Sequence, residues 1–282
     1  MERALQKLRR SRERMPHFRE VLELAERLLV EKCRRNDQEP GLSFTMDPTK
    51  AKIQMGEGFP YLRPKDVPLD LPQLSEYFFC LLKNFKEVNP SRYESLKGAM
   101  ESKGFELDQA LGPLLHNQLS ESNLEEEFGP EGSLLFFFLI QTLKPTFESL
   151  AKRWRTSLKD LFWTQGYCPF CGGFPGMGEI RKEGKRILHC PLCSTEWEYP
   201  RMKCPYCQND DRERLTYFQV EGEIENRVDI CQACRHYLKT IDSREMEGAL
   251  DFEVEDYLTL HLDHLAQEEG YVRPTRLFVD AR

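Results

Sequence analysis

The chain has 282 residues, of which 40% are hydrophobic and 31% are charged, and its formal net charge is −7. This composition is ordinary for a globular protein and excludes wholesale disorder, and the length suggests about two domains. The acidic balance disfavours a dedicated nucleic-acid binder, because such proteins carry a basic surface.

The sequence shows neither a membrane span nor a targeting signal. The longest apolar run, Leu134 to Ile140, is far shorter than the ~20 residues that cross a bilayer. Residues 1–35 are highly charged and amphipathic, without the apolar centre or the cleavage site of a signal peptide. We therefore expect a cytoplasmic protein without a membrane span.

The first part of the chain, residues 1–165, has the apolar spacing of helices. Apolar side chains recur at every third or fourth position over 18–29 and, more strongly, over 71–85. Two further helices are predicted over 91–103 and 106–119. We expect an all-α N-terminal domain.

Prolines set two further expectations for this part. Pro145 predicts a break between two helical stretches within 133–163. Six prolines between Pro40 and Pro72 predict an irregular, mostly extended connection. A loop that follows the surface is favoured there over a binding arm.

The composition changes abruptly at Gly166, where cysteine, glycine, proline and short β-like runs replace the helical pattern. Eight of the ten cysteines form four CxxC pairs. Two such pairs on tight turns can complete a tetrahedral site of four sulfurs. The paired cysteines are Cys168 and Cys171, Cys190 and Cys193, Cys204 and Cys207, and Cys231 and Cys234.

The intervals between the pairs predict how they combine. Eighteen residues separate the first two pairs and 23 separate the last two, and both intervals contain β-hairpin sequence. We therefore expect sequential pairing, with the first two pairs forming site A and the last two forming site B. An interleaved pairing stays open, and four sulfurs suit zinc or rubredoxin-type iron equally.

The expected fold class is α+β: an all-α domain, two rubredoxin-like or zinc-ribbon modules and a C-terminal helix. Helical spacing returns over 246–268 and predicts that last helix. The predicted units are 1–165 (helical domain), 166–202 (ribbon with site A), 203–243 (ribbon with site B) and 244–282 (helix and tail).

Motifs around the cysteines resemble a known family. They are LHCPLCSTEW from Leu188, KCPYC from Lys203, CQACRHYLK from Cys231 and LHLD from Leu260. Over residues 166–275 the chain resembles the formate dehydrogenase accessory protein (FdhE) family. The resemblance implies a cytoplasmic factor that is not an enzyme, that is needed for formate dehydrogenase activity and that binds its catalytic subunit. It also implies a helical domain followed by two rubredoxin-like ribbons, with iron bound by the eight paired cysteines.

Two other functions stay open. One is a rubredoxin-like electron-transfer protein in which site A or site B cycles between Fe(II) and Fe(III). The other is a zinc-ribbon nucleic-acid adaptor, which the acidic charge disfavours. The sequence contains no Ser/His/Asp set, no phosphate-binding loop and no convincing carboxylate pair, so we expect no catalytic residues. Whether the chain forms a homodimer stays open.

Overall fold

A computed structural model describes residues 2–37, 47–158 and 163–279, so that 40–46 of the predicted connection lie outside the described residues. The helices are α1 (Glu2–Arg14), α2 (Arg19–Asp37), α3 (Pro48–Gly56), α4 (Leu71–Val88), α5 (Pro90–Ser102), α6 (Leu107–Leu115), α7 (Glu121–Phe128), α8 (Gly132–Leu158), α9 (Phe252–Leu258) and α10 (Leu260–Glu268). The strands are β1 (Met177–Ile180), β2 (Arg186–His189), β3 (Glu196–Glu198), β4 (Leu215–Phe218), β5 (Asn226–Cys231) and β6 (Tyr237–Asp242).

The helix α4 shows how the sequence specifies the N-terminal part. Asp70 caps the helix by accepting a 3.1 Å hydrogen bond from the amide of Gln73. Pro72 stands in the first turn, where its missing N–H has no partner to lose. Leu74, Phe78 and the other apolar residues of the predicted stripe are buried against the other helices. This confirms the helix predicted over 71–85.

The helix α8 runs through Pro145 without a break, so the prediction of two separate stretches was wrong. Proline inside a helix costs about 3 kcal/mol. Leu143 and Phe147 on either side are fully buried, and this central packing outweighs the lost hydrogen bond. The hydroxyl of Thr142 also donates a 2.8 Å bond to the carbonyl of Phe138 in the preceding turn.

The described part of the proline-rich connection is packed against the protein. Asp47 caps helix α3 through its carboxylate, which accepts a 2.9 Å bond from the amide of Thr49. Further along, Tyr61 and Leu62 are 1% and 0% exposed. The predicted irregular conformation holds between α3 and α4, but Pro48–Gly56 form a helix. The expected loop along the surface was wrong for Tyr61 and Leu62, whose side chains enter the core.

One helical stretch of the described chain, Glu121–Arg155, is long and apolar enough to cross a bilayer by length and composition. Two-thirds of its most apolar 18-residue part is buried inside the protein, and the core helix of a soluble protein can be equally long and apolar. The stretch is consequently weak evidence for a membrane span.

The six strands form one sheet in the order β3-β2-β1-β6-β5-β4. The strands of the first cysteine-rich unit join those of the second through β1 and β6, which pair in parallel from Met177 opposite Lys239 to Ile180 opposite Asp242. A helical region followed by a sheet-containing part agrees with the expected fold class. The two ribbons, however, share a continuous sheet.

The C-terminal segment contains two helices where the sequence predicted one. Helices α9 and α10 meet at Thr259, whose backbone leaves the helical conformation. The Thr259 hydroxyl donates a 2.8 Å bond to the carbonyl of Glu255. In a continuous helix this carbonyl would accept the bond from the Thr259 amide, so the hydroxyl competes with the helical hydrogen bond. Beyond α10 the chain returns to the first cysteine unit, where Phe278 bridges Gly173.

Candidate metal centres

All four CxxC pairs adopt the same backbone turn. The amide of the first cysteine donates to the carbonyl five residues later, and the amide after the second cysteine donates back to the first cysteine's carbonyl. Both bonds are 2.8–3.0 Å long in every pair. The turns begin at Cys168, Cys190, Cys204 and Cys231. Each turn presents its two thiols on one side, as metal-binding knuckles do.

The residue after the second cysteine has a left-handed backbone in each turn. The φ values are +76° at Gly172, +57° at Ser194, +62° at Gln208 and +60° at Arg235. Only the first turn has the glycine that this conformation favours. The other three turns hold a non-glycine residue in this strained backbone conformation, which indicates that the surrounding structure determines these turns.

Site A consists of Cys168, Cys171, Cys190 and Cys193, all of them buried. The sulfur atoms of Cys168 and Cys193 are 3.5 Å apart, as are those of Cys171 and Cys190. These cysteines belong to the main apolar core, together with Phe170 of the first turn.

Site B consists of Cys204, Cys207, Cys231 and Cys234 and is more open. The sulfur atoms of Cys204 and Cys234 are 3.7 Å apart, as are those of Cys207 and Cys231. Cys207 is exposed and Cys234 is partly exposed. Site B therefore reaches the surface, whereas site A does not.

Both groups fit a tetrahedral metal ion. Metal–sulfur bonds of about 2.3 Å place the sulfurs of a tetrahedron about 3.8 Å apart, close to the observed separations. A disulfide needs about 2.0 Å, and all eight cysteines are free thiols. The grouping is the sequential one, and the interleaved alternative does not occur. Among the described residues, these are the two clusters of ligand-type side chains that could hold a metal ion.

Comparisons with known proteins match this architecture. Residues 167–201 match the model of the FdhE central domain, and residues 202–278 match that of the FdhE C-terminal domain. The Protein FdhE homolog of Aquifex aeolicus (strain VF5) is 27% identical, covering 98% of this chain and 94% of that protein. Protein FdhE of Escherichia coli O1:K1 / APEC is 34% identical over 111 residues, 38% of this chain and 35% of that protein.

A crystal structure of the FdhE protein from Pseudomonas aeruginosa covers 98% of this chain and 93% of its own, with a TM-score of 0.64 and 25% identity. The likeness therefore includes the helical part, where the sequence carries no motif. The chain is thus similar to FdhE proteins over nearly its whole length, and its two cysteine-rich units match the FdhE domains. This similarity supports the role of a formate dehydrogenase accessory protein.

The thiols differ in acidity within each group. In site B, the hydrogen bond from Cys234 outweighs burial and lowers the pKa of Cys204 to about 5, whereas burial raises the pKa of Cys207 to about 11. In site A, burial raises the pKa of Cys171, while hydrogen bonds from the other thiols outweigh burial and lower that of Cys190. Cys190 and Cys204 therefore ionise readily, and thiolates are the form that binds metal.

The helical part supports site A through contacts that the sequence did not reveal. The amides of Tyr61 and Leu62 donate 2.8 and 2.7 Å bonds to the carbonyls of Pro169 and Phe170. Those two carbonyls lie between Cys168 and the next cysteine of the first turn. Candidate site A therefore depends on a segment far upstream in the chain.

The second turn of site A has its own polar support. The Ser194 hydroxyl donates a 2.8 Å bond to Glu148 of α8, which also accepts a 3.0 Å bond from Lys32. The thiol of Cys193 donates to the hydroxyl of Thr195 at 3.2 Å. These partners hold the turn against the helical part and fix the orientation of the thiols.

The histidines near the cysteines have other partners. His189 is buried and stacks on Phe252 with ring centroids 4.6 Å apart. His236 bonds the carbonyl of Cys234 at 2.9 Å through Nδ1. His261 pairs with Glu223 at 2.9 Å, so it takes no part in either cysteine group.

Proposed function

We propose that this chain is a cytoplasmic accessory factor of the FdhE family, not itself an enzyme, that binds the catalytic subunit of formate dehydrogenase. The observation that carries the proposal is the pair of four-thiol groups in a chain that matches an FdhE structure over 98% of its length. The binding of the subunit and the cytoplasmic location come from the family resemblance.

In this proposal the eight paired cysteines hold two metal ions, one in site A and one in site B, with iron favoured over zinc by the resemblance. The separation of the sulfurs and the absence of disulfides support it. An ion bound by four thiolates cross-links two turns and so contributes to the folding free energy. The protein positions the thiols, favours their ionisation and shields site A from water.

The two sites would have different roles. Site A is buried in the main core, so we propose that it holds the ribbon part against the helices. Site B reaches the surface through Cys207, so a partner contacts it first. The proposed units remain 1–165, 166–202, 203–243 and 244–282, and the family models, which meet between residues 201 and 202, support the division between the two ribbons.

Affinity isolation from the native host without oxygen tests the function. The tagged wild-type chain should retain the formate dehydrogenase catalytic subunit, and the Cys204→Ser/Cys207→Ser variant should lose it. The matched control is Cys33→Ser/Cys80→Ser, which removes two thiols outside both groups. Retention of the subunit by the site B variant, or its absence from the wild-type eluate, would contradict the proposal.

The exposure of Cys207 also favours a second candidate, electron transfer at site B. Oxidised iron bound by four sulfurs absorbs visible light and loses this absorption on reduction, whereas zinc is colourless. An iron-loaded protein with a reversible redox transition would support electron transfer. A colourless protein with two zinc ions would exclude it.

A further inference from the structure

A cleft of about 980 Å³ lies between the helical part and the ribbon of site A. Met55 of α3 and Ala151 and Arg155 of α8 line one wall. The other wall comes from β2, β3 and the residues after β3, including Arg186 and Arg201. The volume falls in the range of binding clefts.

The lining of this cleft is basic although the chain is acidic overall. Among the residues that the structure describes, five cations and two carboxylates line it. One carboxylate, Glu196, pairs with Arg181 at 2.6 Å, and the other, on β3, pairs with Lys185 at 3.7 Å. The remaining cations are Arg155, Arg186 and Arg201, and none of them has a carboxylate partner in the described chain.

Arg186 is the most informative of the three, because it is only 4% exposed. Its guanidinium donates a 2.5 Å bond to the carbonyl of Lys203 and lies 5.2 Å from the ring of Tyr199. Its Nε has no hydrogen-bond partner among the described residues. Asp229 attracts this charge but already pairs with Arg227 at 2.9 Å, so a further anion in the cleft would lower the free energy of the buried guanidinium.

The size of the cleft indicates what kind of anion fits. A single inorganic ion fills little of 980 Å³, and the unpaired cations stand on both walls. Guanidinium groups suit carboxylates, which they bind through paired hydrogen bonds. A ligand with several carboxylates along a chain would meet both walls at once.

We propose that this cleft docks an acidic peptide segment of the partner protein. The proposal rests on the proposed accessory function for the identity of the partner, but not for the chemistry of the segment. Arg155 and Arg201 are exposed and would contact the segment directly, and the buried charge of Arg186 would attract it.

Fluorescence anisotropy with a fluorescein-labelled decapeptide rich in Asp and Glu tests the site. We expect saturable binding that weakens with salt, and Arg155→Glu/Arg201→Glu should weaken it about tenfold or more. The control Arg10→Glu/Arg212→Glu makes the same charge change at exposed positions outside the cleft. Equal loss in both variants would overturn the proposal, because it would show only a general charge effect.

Two further arms separate the alternatives. Inorganic pyrophosphate should compete with the peptide only weakly. Displacement of the peptide by pyrophosphate at a concentration below that of the peptide would overturn the proposal in favour of a phosphate site. In isolation from the host, the cleft variant should retain less of the catalytic subunit than the control variant. Full retention would overturn the docking site and leave the proposed function standing. Peptide binding without any retained subunit in the wild type would instead contradict the proposed function alone.

Discussion

The amide of Leu62 donates a 2.7 Å hydrogen bond to the carbonyl of Phe170, and both residues are fully buried. Phe170 stands between the two cysteines of the first turn of site A. The connection between α3 and α4 thus covers the back of the first cysteine turn of site A. The helical part and site A share one core, so we expect their stabilities to be coupled.

Leu62→Ala tests that coupling. Removing a fully buried leucine leaves a cavity and should lower the free energy of unfolding by about 3 kcal/mol. Because the backbone of Leu62 supports the first turn, site A should also lose metal at a lower chelator concentration. Leu71→Ala, at a position 40% exposed, is the control and should change both quantities little. Denaturant titration and chelator titration measure them, and equal effects of the two variants would refute the coupling.

Because the residue after each cysteine pair has a left-handed backbone, removing a glycine at this position should destabilise the protein, and introducing one should stabilise it. Gly172→Ala should destabilise the protein by about 1–2 kcal/mol, because φ is +76° and a Cβ would lie 2.8 Å from Cγ of Pro60. Gln208→Gly should stabilise it by up to about 1 kcal/mol, because the backbone strain of the third turn is relieved. Thermal unfolding of the metal-loaded proteins checks both signs. Stabilisation by Gly172→Ala would contradict the account of these turns.

The different exposure of the two sites predicts the order of metal loss. With excess chelator, one ion per chain should leave in a fast phase and one in a slow phase, because only site B reaches the surface. Cys207→Ser should remove the fast phase, and Cys171→Ser should remove the slow one. Stopped-flow absorbance of the chelator–metal complex follows both phases. A fast phase that belongs to site A would contradict the assignment.

Acid should weaken the contact between the C-terminal helices and the rest of the protein. Burial alone would raise the pKa of Glu253, but the charges of Lys144 and Lys32 outweigh it and lower the pKa to about 2 from the usual 4.5. The ionised carboxylate therefore stabilises the fold fully above pH 4.5, and this contribution disappears as the pH falls towards 2. The loss amounts to about 3 kcal/mol.

Denaturant titrations across this pH range give the free energy of unfolding of each variant relative to the wild type. Taking this difference cancels the effect of metal loss in acid, which is common to all the proteins. Glu253→Gln should be less stable than the wild type at neutral pH, and the gap should narrow as the pH falls through the window. Glu126→Gln, at an exposed carboxylate without an ion pair in the described chain, should follow the wild type throughout. A gap that stays constant with pH would contradict the role of the Glu253 charge.

The sequence predicted the features that local pattern controls. The spacing of the CxxC pairs indicated how the eight thiols group, and the apolar stripe of α4 matched its helix. Local signals failed where distant parts of the chain meet. Pro145 did not break α8, because the core on both sides stabilises the helix. The packing of Leu62 behind Phe170 has no signal in either segment alone.

The shared sheet and the basic cleft were also beyond sequence reasoning. The parallel pairing of β1 with β6 joins strands that lie far apart in the chain, and neither strand carries a pattern that specifies its neighbour. The cleft collects Arg155 and Arg201 from separate elements, so no cluster of charges appears along the sequence.

Native mass spectrometry of the protein isolated without oxygen tests the central claim most directly, namely that two four-thiol groups form two independent metal sites. The wild type should carry two metal ions per chain, and Cys171→Ser and Cys207→Ser should each carry one. The double variant should carry none, while Cys33→Ser/Cys80→Ser should keep both ions. A wild-type mass without metal, or with disulfides in place of the two ions, would contradict the claim.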